Sequence, residues 1–380
     1  MFKEHSAFHV LKSVNNIDYS VSPATDAAGA TAGSPIGWSH SNALVFGRGN
    51  RVYYKSMADT EGVAQQLCKI TDSMGSLSLV QCAGENQPST VALATSNGHM
   101  QLWDLTTKRP TIQWKLKGPS AMIFNGTTLT VGDEKGALRH YDTRVTDPAK
   151  LKDQATKVTR HQGRITTLAW HRDKFTVASG DQNGLILVWD VRKPRVPLEV
   201  GELVQRRRKM QHAGAITALA WCPWYGKYLV SGDSAADKTG TIRIWDIAND
   251  HGPESSSRPP ERPNKLEFDA QITSLHFSPH INELLSTHGP GKPTEVPSLV
   301  RVDPLQSRMA NSIVVHQFPL MRHVTTVSVA RKNIAGSVLS PNGHRIVLAV
   351  PEEAQLKVWD VWGKFKAPKQ KSLFESCAIR

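Results

Sequence analysis

Histidine, cysteine and carboxylate side chains carry most of the reactive chemistry open to a protein, and in this chain their spacing excludes more than it permits. The 15 histidines include no His-Glu-x-x-His pair that would set two imidazoles on one helical face around zinc. No Gly-x-Ser-x-Gly elbow exposes a serine nucleophile, and no glycine-rich loop leaves a strand to open a helix around phosphate. Cys68, Cys82, Cys222 and Cys377 lack Cys-x-x-Cys spacing. Neither a zinc cluster nor a disulfide framework is indicated, and reduced, mostly buried thiols are expected. The residue types therefore assign no catalytic group, no metal and no cofactor, and they point to a binding protein rather than an enzyme.

Two histidines stand out by context. His161 opens HQGRITTLAWHRDKFTVASGDQNGLILVWD, and His212 opens HAGAITALAWCPWYGKYLVSGDSAADKTGTIRIWD. Each segment reads as an alternating apolar strand, a turn, a second strand ending in Ser-Gly, a tight polar turn and a third strand closing on Trp-Asp. The expected role of each histidine is structural, a hydrogen bond to Ser179 or Ser231 on the second strand. The same ending recurs in HMQLWDL (Trp103), LRHYDTR (Tyr141) and QLKVWDV (Trp359), with weaker forms in RVYYKS (Tyr54) and LVRVDP (Val302, Asp303). The shortest spacings approach the roughly 40 residues of a WD40 blade, and the longer ones require inserted loops. Seven endings predict an all-β, seven-bladed WD40 propeller over residues 8–362.

A propeller must close on itself, and AFHVLKS, Phe8 to Ser13, is the expected strand that completes the blade ending at Trp359. Residues 1–7 form a short stub. Ala, Gly, Ser and Thr dominate 22–35, Pro and Ser dominate 249–265, and 363–380 is a basic tail ending in Ile-Arg; all three read as loop or tail. The formal charge of +13 favours acidic partners. The run Arg206, Arg207, Arg208, Lys209 is either a solvated loop or a nuclear-import or acidic-partner patch. Without interleaved aromatics, specific nucleic-acid binding lacks support. No window reaches the ~18 to 20 apolar residues of a membrane span, and 1–25 lacks the order of a signal peptide, so a soluble intracellular protein is expected.

Four strings resemble the fizzy and fizzy-related WD40 activators of the anaphase-promoting complex/cyclosome. They are FHVLKSVNNIDY running on to GWSHSNALVFGRGNRVYY, then ALAWCPWYGKYLVSGDSAAD, then DAQITSLHFSPHINELLSTHG, and the terminal SLFESCAIR. The stretch NELLSTHG is the most specific. The resemblance implies a substrate-recruiting adaptor in mitotic or meiotic control, found in nucleus and cytoplasm. Its partners would be ligase subunits and degron-bearing substrates, with no membrane role. Ile379 and Arg380 match the family's docking tail: a guanidinium, the terminal carboxylate and an apolar anchor suit a groove with acidic groups and a hydrophobic slot.

By the same resemblance, Asp18 is the acidic residue that receives the arginine of a destruction box. Glu352 and Glu353 lie near the second acidic position, which aligns with Ala354; they are equally readable as an ordinary exposed turn. The pocket for a Lys-Glu-Asn degron departs further. Its acidic residue before Trp-Ser is Gly37 here, its Asn-x-Asn turn is Gln182, Asn183, Gly184, its threonine is Ala235 and its arginine is Asn333; Gln271 alone matches. That specificity is expected to be weakened or changed, since each unpaired polar group costs roughly 1 to 3 kcal/mol. The family's N-terminal Asp-Arg-Tyr-Ile-Pro type element has no counterpart before Phe8, which suggests an incomplete chain, a divergent paralogue that docks by its tail alone, or a paralogue that occupies the docking groove without activating; the generic repeats by themselves would also support a general WD40 scaffold.

Overall fold

A computed structural model describes residues 11–19, 35–59, 62–193, 196–204, 206–248, 264–292 and 307–362. Apolar and polar residues alternate along short segments broken by Gly, Asn and Asp turns, and these segments form antiparallel strands in seven sheets. The outermost strand of the last blade comes first in the chain, β1 (Lys12–Asp18). Blade 1 follows as β2 (Ile36–Trp38), β3 (Ala43–Arg48), β4 (Arg51–Ser56) and β5 (Gln65–Lys69). Blade 2 is β6 (Leu77–Cys82), β7 (Thr90–Thr95), β8 (His99–Asp104) and β9 (Arg109–Lys115). Blade 3 is β10 (Pro119–Asn125), β11 (Thr128–Asp133), β12 (Ala137–Asp142) and β13 (Thr156–Thr159). Blade 4 is β14 (Ile165–Trp170), β15 (Thr176–Asp181) and β16 (Leu185–Asp190) with an outer hairpin, β17 (Glu202–Val204) and β18 (Arg207–Gln211). Blade 5 is β19 (Ala215–Trp221), β20 (Tyr228–Ser234), β21 (Gly240–Asp246) and β22 (Lys265–Phe268). Blade 6 is β23 (Ala270–Phe277), β24 (Glu283–Gly291), β25 (Ser312–Gln317) and β26 (Arg322–Ser328). Blade 7 is β27 (Gly336–Leu339), β28 (Arg345–Val350) and β29 (Gln355–Asp360), completed by β1.

The innermost strands touch in sequence around a closed ring, β2, β6, β10, β14, β19, β23, β27 and back to β2. They line a central channel of about 260 Å³ with side chains such as Ser120, Thr166, Thr217 and Ser337. These hydroxyls fasten blade to blade. Ser120 Oγ donates to the carbonyl of Ile165 at 2.7 Å, Thr166 Oγ1 to that of Ile216, and Thr217 Oγ1 to that of Ile272 at 2.5 Å. Each accepting isoleucine also packs where a Cβ on the preceding blade would stand: Gly132 faces Ile165, Gly180 faces Ile216 and Gly232 faces Ile272, each at 2.6 Å. The glycine near the end of the second strand in blades 3, 4 and 5 and the Ile-Thr pair of the blade that follows are thus the two halves of one inter-blade joint.

The expected histidine contacts are present in blades 4 and 5. His161 Nε2 lies 2.7 Å from Ser179 Oγ, which also accepts from Trp189 Nε1 at 2.8 Å, and His161 Nδ1 is 2.9 Å from Asp181. His212, Ser231 and Trp245 repeat the set at 2.6 and 2.7 Å, with Asp233 3.2 Å from His212 Nδ1. Burial works against ionisation of Asp233, yet His212 and the N–H groups of Gly214 and Thr241 together hold its carboxyl below the usual range. Cys68, Cys82 and Cys222 are buried as free thiols, and burial pushes Cys68 and Cys82 up to about 12; Cys377 lies outside the described residues.

Four expectations about the strands are corrected. The closing strand is Lys12–Asp18, which shares only Lys12 and Ser13 with the expected segment and runs on five residues further; Leu11 precedes it, and Phe8 to Val10 lie outside the described residues. In blade 1, the residue opposite Leu44 is Lys55, so Tyr54 sits one position early against the Trp of the other blades, as the pairing of Val91 with Trp103 shows. Val302 and Asp303 do not end the third strand of blade 6. That strand is Ser312–Gln317, His316 takes the aromatic's register opposite Leu284, and residues 301–306 fall in the connection between β24 and β25 outside the described residues. Lys265, placed in the Pro/Ser insert, opens β22.

Two outcomes follow for stability. Ser231→Ala leaves the buried His212 and Trp245 ring nitrogens without their shared hydrogen-bond partner, so urea unfolding is expected to show a loss of about 1 to 3 kcal/mol. Burial pushes His276 down to about 4, His288 down to about 3 and His316 down to about 4. The unfolded chain therefore takes up protons that the fold refuses. Stability measured against pH should fall between about 6.5 and about 4, by up to about 1.4 kcal/mol per unit for each such group.

Candidate functional site

Every blade's first strand starts, and its second strand ends, at the same face of the ring, because strands within a blade run antiparallel and the first strands lie side by side. Asp18, Glu352, Glu353, Gln182 and Gln271 all come to this face. Asp18 ends β1, opposite Gln355 of β29, and the next residue's N–H donates to the carbonyl of Ala354 at 2.8 Å. The turn between β28 and β29 is a short 3-10 segment, Pro351–Glu353, ended by Ala354 with φ 53°. The structure therefore brings Asp18 and the Glu352–Ala354 turn together, at the seam where blade 7 meets blade 1.

The seam stands on a shared core. Ile17 and Tyr19 from the closing strand pack with Ile36, Trp38, Leu44 and Phe46 of blade 1 and with Val347, Ala349, Leu356 and Val358 of blade 7. Tyr19 is fully buried. This anchors the backbone beneath Asp18, whose side chain is 80% exposed. Its partner is Arg48 at the end of β3 in blade 1, 3.7 Å away and 49% exposed. Exposed pairs of this kind contribute about 0 to 1 kcal/mol, so a guanidinium with better geometry can displace Arg48 at little cost. Sequence reading missed Arg48 because its contact crosses the seam and leaves no local spacing.

Glu352 and Glu353 differ. Glu352 is exposed. Glu353 is tied down: Oε1 accepts from the N–H groups of Arg331 at 2.7 Å and Lys332 at 3.0 Å, and Oε2 pairs with Lys357 Nζ at 2.6 Å. Burial opposes its ionisation, but Lys357 and the two N–H groups outweigh that and hold its carboxyl below the usual range. Glu353 is a clamp between the turn and the segment leading into β27, and Glu352 is the acidic side chain that this turn offers to solvent.

The positions of the second pocket share the face but carry no charged side chain. Gln182 and Asn183 are exposed in the turn between β15 and β16, and Asn333 is exposed before β27. Gln271 spends its amide on the carbonyl of Ala235 at 3.2 Å. At Gly37 an added Cβ would stand 2.9 Å from Cys82 Sγ and 3.1 Å from Val80, so blade 2 has packed into the space an acidic side chain would need. Ile379 and Arg380 lie outside the described residues.

Comparison with known proteins matches this architecture. A family model described as Nucleolar protein 10-like, N-terminal domain, a β-propeller, matches residues 124–285, from blade 3 into blade 6. B-type cell cycle switch protein ccs52B of Medicago truncatula is 27% identical over 335 residues, 88% of this chain and 59% of the relative. Protein FIZZY-RELATED 3 of Arabidopsis thaliana is 26% identical over 87% of this chain, and WD repeat-containing protein slp1 of Schizosaccharomyces pombe is 26% identical over 86%. The chain spans 58% to 59% of the length of these three relatives. A chain from a solved structure described as the mitotic checkpoint complex superposes with a TM-score of 0.72 at 21% identity, covering 96% of both chains, which is a likeness of fold.

Glu353 and Asp18 should separate cleanly in denaturant. Glu353→Gln is expected to lower stability by about 1 to 3 kcal/mol, and that loss should shrink on acidification below pH ~4.5, because a carboxyl held low in the fold stabilises only while ionised. Asp18→Asn should stay within about 0.5 kcal/mol of the parent.

Proposed function

We propose that this protein is a non-catalytic adaptor of the fizzy type, which recruits degron-bearing substrates to the anaphase-promoting complex/cyclosome. The observation that carries the reading is Asp18: an exposed carboxylate on the seam, paired among the described residues with Arg48 in a weak, replaceable contact. In this reading a destruction-box arginine displaces Arg48 and pairs with Asp18, a charge-assisted contact stronger than the exposed pair it replaces. Glu352 on the adjacent turn adds negative potential, while Glu353 keeps the turn in shape. Ile379 and Arg380 dock on the ligase, and the protein works in nucleus and cytoplasm. The names of ccs52B, FIZZY-RELATED 3 and slp1 support the assignment, and so do the strings shared with that family.

Degron choice follows from the contrast between the two sites. By calorimetry, a destruction-box peptide should bind more tightly than a Lys-Glu-Asn peptide, and Asp18→Ala should weaken the former by about 1.5 to 3 kcal/mol. Tighter Lys-Glu-Asn binding, or indifference to Asp18→Ala, contradicts the proposal. Deleting Ile379 and Arg380 should abolish co-purification with the ligase without shifting the thermal melt, since the tail follows the last strand; undiminished co-purification would remove the docking role.

A further inference from the structure

Blade 4 carries a hairpin that the propeller does not need. The outer edge of β16 is covered in two pieces: Leu198 N–H donates to the carbonyl of Val188 at 2.8 Å, and β18 pairs with β16 through Gln211 opposite Leu185 and Met210 opposite Ile186. Between these pieces the chain leaves the blade, runs out along β17 and returns along β18, with Glu202 opposite Lys209, Leu203 opposite Arg208 and Val204 opposite Arg207. Gly201 (φ 107°) and Arg206 (φ 67°) turn the backbone at its two ends. The hairpin is held against blade 5, where Arg243 bonds the carbonyl of Gln211 at 2.7 Å and the carboxylate of Glu202 at 2.6 Å. It is therefore a built projection rather than the solvated loop that its charge suggested.

Two features of this projection are costly unless something uses them. Its outer strand is a sheet edge, with no strand among the described residues on its far side, and such edges invite pairing by another chain. Two of its three residues are apolar: Leu203 and Val204, at 66% and 44% exposure, and Val196 and Leu198 on the segment leading to it, at 63% and 41%, are four of the ten large hydrophobic side chains most exposed among the described residues. Exposed Arg207 stands opposite Val204 and exposed Lys209 opposite Glu202, with exposed Arg206 in the turn that joins the two strands. Lysine or arginine alone would blunt an edge, whereas exposed Leu and Val on the edge strand itself do the opposite.

We propose that β17 is a docking edge for an extended peptide with alternating acidic and apolar residues, which adds a sixth strand to blade 4. The backbone of the peptide completes the ladder; because side chains alternate between faces, its apolar residues cover Leu203 on one face and its carboxylates meet Arg207 and Lys209 on the other, where Val204 also lies. This site is on the outer rim of blade 4, away from the seam at Asp18, and does not depend on the degron assignment.

The test uses the full chain and a fluorescent synthetic peptide of alternating glutamate and valine, followed by anisotropy. Saturable binding is expected, weakening as salt rises because exposed charges are screened. The double variant Arg207→Glu, Lys209→Glu should weaken it by about tenfold or more, with Asp18→Ala without effect. N-methylation of the peptide at alternate residues should abolish binding in one phase and be tolerated in the other, since only one edge of an added strand meets the protein. That comparison uses the unaltered protein and so remains decisive if the double variant fails to fold. Absence of binding, tolerance of both methylated peptides, or displacement of the peptide by a thymidine oligonucleotide would each overturn the assignment, the last by giving the patch to nucleic acid.

Discussion

Closure of the ring is the constraint on which the rest of the molecule depends. Six blades form from contiguous stretches of chain, but blade 7 borrows its outer strand from the other end, with β1 zipped antiparallel onto β29 from Lys12 opposite Asp360 to Asp18 opposite Gln355. That pairing brings Ile17 and Tyr19 into the core that blade 1, through Ile36, Trp38, Leu44 and Phe46, shares with blade 7, through Val347, Ala349, Leu356 and Val358. The pairing also brings together residues over 300 positions apart at one surface, where Asp18 meets the Glu352 turn. The candidate site is a by-product of the closure, so its geometry is as rigid as the ring.

The remaining joints share this economy. The Ile-Thr pairs of blades 4, 5 and 6 each accept a hydroxyl from the blade before, and in blades 4 and 5 the same pair donates one to the blade after, with a glycine on the preceding blade making room for the isoleucine. Blade 6 adds a connection beyond the ring. Glu283, in the NELLSTHG stretch, accepts from Trp362 Nε1 at 2.9 Å, which ties the segment leaving β29 to the neighbouring blade. A motif that reads as a family signature in the sequence thus acts physically as a strand whose first residue receives the chain as it exits blade 7.

Much of this was legible in the sequence where one residue type does one job. The histidine, serine and tryptophan of blades 4 and 5 announce themselves because their hydrogen bonds demand those side chains at a fixed spacing. Blades 1 and 6 are harder, since Lys55 and His316 occupy the aromatic's register and a long connection between β24 and β25 displaces the third strand. Asp18 was visible through the string around it, but Arg48 and the Glu353–Lys357 clamp were not. Their contacts are fixed by the seam and by a 3-10 turn, neither of which has a periodic signature. The blade 4 hairpin was hidden by its own charge: four consecutive basic residues read as a solvated loop or a charged patch, and only the pairing of Arg207 and Lys209 with Val204 and Glu202 makes three of them part of a strand.

The central claim is that the closure seam between blades 7 and 1 is where a substrate's arginine is read. Photocrosslinking states this most directly, using a destruction-box peptide with a photoactivatable group next to its arginine and mass spectrometric mapping on the folded chain. The account predicts crosslinks concentrated at the end of β1 around Asp18, at Arg48 and in the Glu352–Ala354 turn. Crosslinks concentrated instead on the opposite face of the ring or on the blade 4 rim would contradict it.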